Sequence, residues 1–297
     1  MAQGMEMNDI YRERTEEVGS YLDVDVWRPL RIATRLTGMV VWIVFGVTAM
    51  TGAVSLGLFS SRWAQRARRW VSRTWVKGVP KLLGTRIIVR GTPPKAPFFL
   101  VGNHISWIDF FVTHTVLDEV SVTESVINEI PFARLMLSGL DLIIVDRVHD
   151  ELIPTNERIK ETIYQGKSIV MAPEATVTPG LRVCHFHSGL LDPVARAGRP
   201  VYYASLTVRT PAGSPPASEV VLSPDPKFVR RDRTPIEAEI ERRAMARGFF
   251  CYLFGLLGLP WHEYTITFAK EPVTAPDRKT LAKELQRSVQ SIFTPVA

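Results

Sequence analysis

Hydrophobic and polar positions change pattern three times along this chain. Residues 37–61, TGMVVWIVFGVTAMTGAVSLGLFSS, run for 25 positions without a charge. A helix needs about 20 apolar residues to cross the hydrocarbon core of a bilayer, so this run is long enough to span. Gly46, Gly52 and Gly57, with Thr48, Thr51 and Ser55, interrupt it, and a helical hairpin that enters one leaflet and returns fits as well. A buried core helix is disfavoured by the length. A secretory signal is disfavoured by a start far from the N-terminus, behind a mixed-charge segment. Residues 1–36 read as a polar lead-in with an amphipathic piece near 27–36.

The next segment adds charge. Residues 62–81, RWAQRARRWVSRTWVKGVPK, carry five arginines, two lysines and no acid. Without those seven, 29 basic residues face 30 acidic ones, so the net charge of +6 belongs to this segment alone. Arg62, Arg66, Arg69, Arg73 and Lys77 recur at helical spacing and share one face. Trp63, Ala67, Trp70 and Thr74 form the adjacent stripe. Basic residues beside tryptophans, at the end of an apolar run, suit a helix at an anionic membrane surface. Arg62, Trp63, Arg66, Arg69, Trp70 and Arg73 are therefore the expected membrane-binding residues. A nucleic-acid patch is the rival reading, but the chain has no zinc-finger spacing and no basic tail, and no nucleic-acid partner is expected.

From residue 82 onward short apolar runs alternate with helical periods. TRIIVRGTPPKAP reads as a strand and a proline-rich turn. Strands are expected at 98–101, 142–145, 168–171, 201–208, 220–222 and 264–269. Helices are expected at 108–117, 131–138, 155–165, 235–247 and 276–293, the last with Leu281, Leu285, Val289 and Ile292 as its apolar stripe. This pattern implies an α/β fold: a mixed, largely parallel sheet flanked by helices, with an N-terminal membrane-associated helical element. Residues 1–81 are expected to form the lead-in and membrane-anchoring helices, and 82–297 the α/β domain. The run at 248–261 is only 14 residues, too short to span; core and a surface resting on lipid are both open. The two cysteines, Cys184 and Cys251, exclude a disulfide framework and fit a reducing, cytosolic environment.

In such sheets chemistry gathers at the carboxyl ends of strands. The stretch VGNHISWIDFF, residues 101–111, puts His104 just beyond the strand at 98–101 and Asp109 about one helical turn further on. A histidine that takes a proton from an alcohol needs its other ring nitrogen held by a carboxylate. Ser106-Trp107-Ile108-Asp109 ahead of an apolar helix is also a capping-box pattern, so spacing alone leaves both readings open. Cys184-His185-Phe186-His187 is not expected to bind metal, because alternation puts Cys184 and Phe186 on one face and the histidines on the other. Glu161 stands where a phosphate loop ending in Gly166-Lys167-Ser168 needs its first glycine. No G-x-S-x-G occurs, which argues against a serine-hydrolase route.

NHISWIDFF resembles the N-H-x-x-x-x-D block of the glycerolipid acyltransferase family, whose members transfer fatty acyl chains onto lysophosphatidic acid and related lipids. GLDLIIVDR, ending at Arg147, is similar to that family's second motif. VMAPEATVTPG, 170–180, resembles its strand followed by P-E-G-T; GRPVYYASL, 198–206, resembles the fourth block, and TITFAKEPV the final strand. Order and spacing agree from about residue 85 to the C-terminus. The resemblance implies that His104 is a general base oriented by Asp109, and that the acceptor alkoxide attacks an acyl thioester directly. It makes Asn103, Arg147, Glu174, Ala175 and Thr176 acceptor-site residues, the arginine being suited to a phosphate. No cofactor and no metal are implied; acyl-CoA or acyl-ACP serves as the donor substrate.

The implied partners are membrane lipids, a lysolipid acceptor, and acyl carrier protein or a CoA thioester. The implied location is a membrane, with the catalytic domain on the cytoplasmic face of a bacterial inner membrane. 1-Acylglycerol-3-phosphate is the first expected acceptor, giving phosphatidic acid. The chain also departs from the family pattern. The third motif commonly reads E-G-T-R, and here it is Glu174-Ala175-Thr176-Val177; Glu124 stands where relatives often carry a lysine. Members acting on lyso-ornithine lipid, or on lysophospholipids with larger headgroups, fit those departures. A non-catalytic lipid-binding relative is the alternative outside enzymes.

Overall fold

The computed structural model describes residues 25–128, 132–145, 152–222 and 232–296. In chain order its elements are α1 (Arg28–Ser55), α2 (Ser61–Leu83), β1 (Thr85–Arg90), β2 (Phe99–Gly102), α3 (Ile108–Val116), β3 (Val120–Glu124), α4 (Ala133–Met136), β4 (Leu142–Val145), α5 (Leu152–Tyr164), β5 (Ile169–Met171), α6 (Asp192–Arg196), β6 (Tyr202–Arg209), α7 (Ala217–Val220), α8 (Pro235–Gly258), β7 (His262–Phe268) and α9 (Arg278–Ile292). Among the described residues, seven strands form one sheet in the order β1-β7-β6-β2-β5-β3-β4. Every neighbouring pair is parallel except β6 with β7. β2 occupies the middle, with Val101 opposite Tyr203 of β6 on one side and Met171 of β5 on the other.

Side chains on a strand alternate between faces, and β2 shows both cores at once. Leu100 joins the cluster of Ile108, Val112, Leu206, Ile266 and Leu256 under α3 and α8. Phe99 and Val101 join Ile159, Ile169, Leu281, Leu285 and Val289 under α5 and α9. The central strand is thus apolar throughout because both of its faces are covered. The α8 start is held by a capping box, Thr234 accepting from Glu237 N–H and the Glu237 carboxylate from Thr234 N–H.

Two expectations change. The segment expected as a strand at 220–222 ends the helical turn α7 instead. Its apolar residues Val220, Val221 and Leu222 are buried without entering the sheet; a three-residue apolar run carries no period that could tell the two apart. Conversely, β3 was not expected, although Val120-Ser121-Val122-Thr123 alternates, because it is short and stands at the end of the preceding helix.

α1 and α2 form a helical hairpin laid along the domain. Trp42 Nε1 donates to the Trp75 carbonyl at 3.1 Å, and Gly46 admits Trp75 and Met136 against the α1 backbone. The far end of α1 is tied to the end of α8: Arg31 Nε donates to Gly258 O, and Arg35 to Leu257 O, Leu259 O and Pro260 O. The residues from 37 onward therefore continue a helix that already starts at Arg28. Among the described residues, Arg28–Leu58 is the one helix long and apolar enough to cross a membrane, with a mean hydropathy of 2.0 and only 17% of its most apolar stretch buried. Its outward side chains include Val40, Val41, Val44 and Phe45.

Candidate active site

β2 ends at Gly102, and the next five residues, 103–107, form a loop before α3. Asn103 fixes how that loop leaves the sheet. Its buried amide donates to Leu206 O at 2.8 Å and accepts from Leu206 N at 2.7 Å, so the side chain extends the β2–β6 ladder by one rung. His104 follows immediately. Its Nδ1 lies 2.8 Å from Asp109 Oδ2, with the imidazole side chain 29% exposed and the carboxylate side chain 6%.

The same Asp109 oxygen accepts Ile105 N–H at 2.7 Å and Ser106 N–H at 3.0 Å. Both readings of this aspartate are therefore present in one atom. The bond to Ser106 N–H is half of a capping box, while Ser106 Oγ accepts from Ile108 N rather than from residue 109. The carboxylate folds the loop around itself and holds the imidazole with what remains. With Nδ1 donating to Asp109, Nε2 is left as a proton acceptor on the partly exposed ring.

The loop after β5 wraps beneath this one. Glu174 is 2% exposed, and its two oxygens are taken by backbone donors: His104 N–H to Oε2 at 2.6 Å and Cys184 N–H to Oε1 at 2.5 Å. Thr178 donates from both N–H and Oγ1 to the His104 carbonyl. Ala175 has a φ of +62°, the left-handed conformation that favours glycine, which is where the family pattern has one. Thr176 is buried, and Val177 packs against Leu222, Ile240 and Ala244. Arg147 lies outside the described residues. Glu124 is half-buried at the end of β3, opposite Val145.

Cys184 and Phe186 are buried and His185 and His187 exposed, with the two rings 5.3 Å apart. No group of three or more metal-ligating side chains occurs among the described residues. On α2, Ser60 caps the start and Gly84 ends the helix in a left-handed turn. Arg62, Trp63, Arg66 and Trp70 point outward, Arg66 lying 5.6 Å above the Trp63 ring. Arg69 and Arg73 are instead paired with Asp141 and Asp118 of the same chain.

Sequence reasoning missed the residues that brace the loop from behind. Trp107 Nε1 donates to Tyr252 Oη at 2.5 Å. Burial pushes the Tyr252 phenol well above its ordinary range, and the hydroxyl also reaches Ser106 and feels the Asp109 charge. Tyr264 of β7 is fully buried beside the same aspartate and is raised for the same reason. No local spacing marks Tyr252, which comes from the far half of α8.

Residues 86–206 match the family model described as Acyltransferase. The chain is 24% identical over 175 residues to a lyso-ornithine lipid O-acyltransferase from Pseudomonas aeruginosa, covering 54% of this chain and 66% of that one. It is 25% identical over 133 residues to a 1-acyl-sn-glycerol-3-phosphate acyltransferase from Neisseria meningitidis, covering 44% and 52%. The matches thus span between one-half and just under two-thirds of these curated relatives. Among solved structures, the 1-acyl-sn-glycerophosphate (LPA) acyltransferase PlsC from Thermotoga maritima superposes with a TM-score of 0.57 over 90% of this chain and 96% of that one, at 14% identity. That likeness is one of fold.

Proposed function

We propose that this chain, whose residues 86–206 match the family model described as Acyltransferase, is an acyltransferase that moves a fatty acyl group from a thioester to the hydroxyl of a lysolipid. The observation that carries the reading is the 2.8 Å contact of His104 Nδ1 with Asp109, on a half-open loop at the carboxyl end of the central strand. His104 Nε2 takes the acceptor's hydroxyl proton as the oxygen attacks the thioester carbonyl. Asp109 stabilises the imidazolium that results. The tetrahedral adduct expels the thiolate, which recovers the proton from Nε2. Glu174 serves this chemistry by holding the His104 and Cys184 backbones together, and Asn103 by anchoring the loop to β6.

A membrane supplies the acceptor. The outward side chains of α1 and the exposed Arg62, Trp63, Arg66 and Trp70 support a lipid-bound hairpin with the catalytic domain on the cytoplasmic side, where an acyl-CoA or acyl-ACP donor is found. Two acceptors are in play. 1-Acylglycerol-3-phosphate is the first, with Arg147 as its phosphate partner. Lyso-ornithine lipid is the second, favoured by a specific observation: Val177, where the family's third motif commonly has an arginine, is packed against α8 and contributes no charge to the site.

Thioester consumption by the purified protein, measured against lysophosphatidic acid, lysophospholipids with larger headgroups and lyso-ornithine lipid, tests the proposal. Turnover with lysophosphatidic acid selects the first acceptor, turnover only with lyso-ornithine lipid selects the second, and turnover only with a larger-headgroup lysophospholipid overturns both choices of acceptor. No turnover with any acceptor, together with retained vesicle binding, overturns the enzymatic reading in favour of a lipid-binding protein.

A further inference from the structure

The apolar run at 248–261 is divided in the structure by a break in α8. Gly248 has φ +69° and ψ 170°, a conformation open at low cost only to glycine. Before the break the helix is charged, with Arg242 and Arg243 held by Glu239 and Arg247 by Glu219. From Gly248 to Trp261 no acidic or basic residue occurs. On this second half Tyr252, Leu256 and Leu257 are buried in the core. Phe249, Phe250 and Phe254 are 52%, 72% and 41% exposed, and Cys251 is exposed among them. Three phenylalanines turned outward within two helical turns exceed the scattered apolar exposure normal on a soluble surface.

The neighbour of this half-helix is α1. Arg31 and Arg35 of α1 bind the carbonyls of Gly258, Leu257, Leu259 and Pro260. Ile32 and Met39 of α1, with Leu253 of α8, pack on the core cluster that holds Tyr252 and Leu256. The outward phenylalanines therefore stand beside the helix whose own outward face is apolar. Resting on the membrane-bound reading above, we infer that the second half of α8 is a second lipid contact, with Phe249, Phe250 and Phe254 seated among the upper acyl chains of the bilayer next to α1. Tyr252, on the inner side of the same turns, packs against the Phe249 ring at 5.9 Å and bonds Trp107, two residues before Asp109. The contact thus holds the His104 loop at the level where a lysolipid hydroxyl meets water.

Cys251 provides the probe. Cys184 is buried, so an environment-sensitive fluorophore reacts with the full chain at Cys251. The labelled protein is mixed with vesicles of phosphatidylethanolamine and phosphatidylglycerol, with and without lipids brominated at the upper or the lower part of the acyl chain. Flotation with the vesicles tests the membrane-bound reading, and quenching tests the contact. The expected result is flotation, blue-shifted emission, and stronger quenching by upper than by lower bromines, since interfacial helices sit about 5–10 Å into the headgroup–acyl boundary. A Phe249→Ser/Phe250→Ser/Phe254→Ser protein should still float through α1 and lose most of the quenching. Flotation with no quenching overturns the inference and leaves the membrane-bound reading standing; no flotation overturns both. Energy transfer between labelled chains, without bromine quenching, would make the face a contact between two copies and overturn the lipid assignment.

Discussion

One oxygen of Asp109 accepts three hydrogen bonds, two of them from the backbone of its own loop. An asparagine keeps an oxygen in that place but loses the charge that steadies a protonated His104. The expected outcome for Asp109→Asn is a fall in turnover of about 10²–10⁴-fold, against a stability loss of about 1 kcal/mol as charge-assisted bonds become neutral ones. Turnover within tenfold of the parent, with a collapsed melting temperature, would mean the residue acts only on the loop. His104→Ala should abolish turnover and leave vesicle binding intact. Ala175 offers the opposite case, a residue that carries strain. Its φ of +62° costs about 1–2 kcal/mol for a side chain with a Cβ, and glycine's extra freedom in the unfolded chain returns about 0.4–1 kcal/mol of that. Ala175→Gly should therefore raise stability by roughly 0.5–1 kcal/mol, read as a higher melting temperature; an unchanged or lower one would show the backbone relaxed around alanine. The pairing of His104 with Asp109 was legible because both lie within one short window, and the left-handed residue because a glycine was missing from a pattern. That Glu174 spends its oxygens on His104 N–H and Cys184 N–H was not, since two backbone donors 80 positions apart leave no trace in residue type.

Long, periodic elements were read from the chain almost to their ends, α9 and the first half of α8 among them, because 3.6-residue spacing accumulates over several turns. Short ones were not. β3 went unseen and the strand expected at 220–222 is the end of a helical turn, since three to five residues hold too little periodicity to decide. The turn from α3 into β3 also buries a pair that no spacing suggested. His114 Nδ1 stands 3.3 Å from Glu119 Oε1, and both side chains are almost fully enclosed. Burial raises Glu119 from its ordinary 4.5 to about 7 and lowers His114 from 6.5 to about 4. A carboxyl raised in the folded state contributes stability below its unfolded value, and that contribution is lost as pH rises from 4.5 through 7. The histidine does the reverse: its contribution is present above 6.5 and lost as pH falls toward 4. Between about 4.5 and 6.5 the two slopes oppose each other. Glu119→Gln removes only the first, so the variant's stability relative to the parent should climb by about 3 kcal/mol between pH 4.5 and 7. Denaturant unfolding across that range measures it, and a difference independent of pH would show that Glu119 stays ionised in the fold.

At the scale of the whole molecule, the basic stripe of α2 was visible in the sequence but its partners were not. Helical spacing places Arg62, Arg66, Arg69 and Arg73 on one face, yet the face tilts along the domain as the helix runs toward β1. Its lower half meets Asp141 and Asp118, which arrive from distant segments. Arg66 and Arg62, one and two turns nearer the end of α1, remain outward beside Trp63. An arginine already facing a carboxylate has less charge to offer an anionic surface, so the four residues should separate into two classes. Each unpaired basic residue near such a surface contributes about 1 kcal/mol. Arg62→Gln/Arg66→Gln should therefore lower the preference for anionic over zwitterionic vesicles by roughly ten- to thirtyfold at low salt, with the difference shrinking as salt is added. Arg69→Gln/Arg73→Gln should change that preference little and cost at most about 1 kcal/mol per pair in stability. Partitioning of the full chain between the two kinds of vesicle, measured over a salt series, distinguishes these outcomes. If the second pair proves as damaging as the first, the ion pairs to Asp141 and Asp118 open at the membrane, and the stripe works as the single face that its spacing describes.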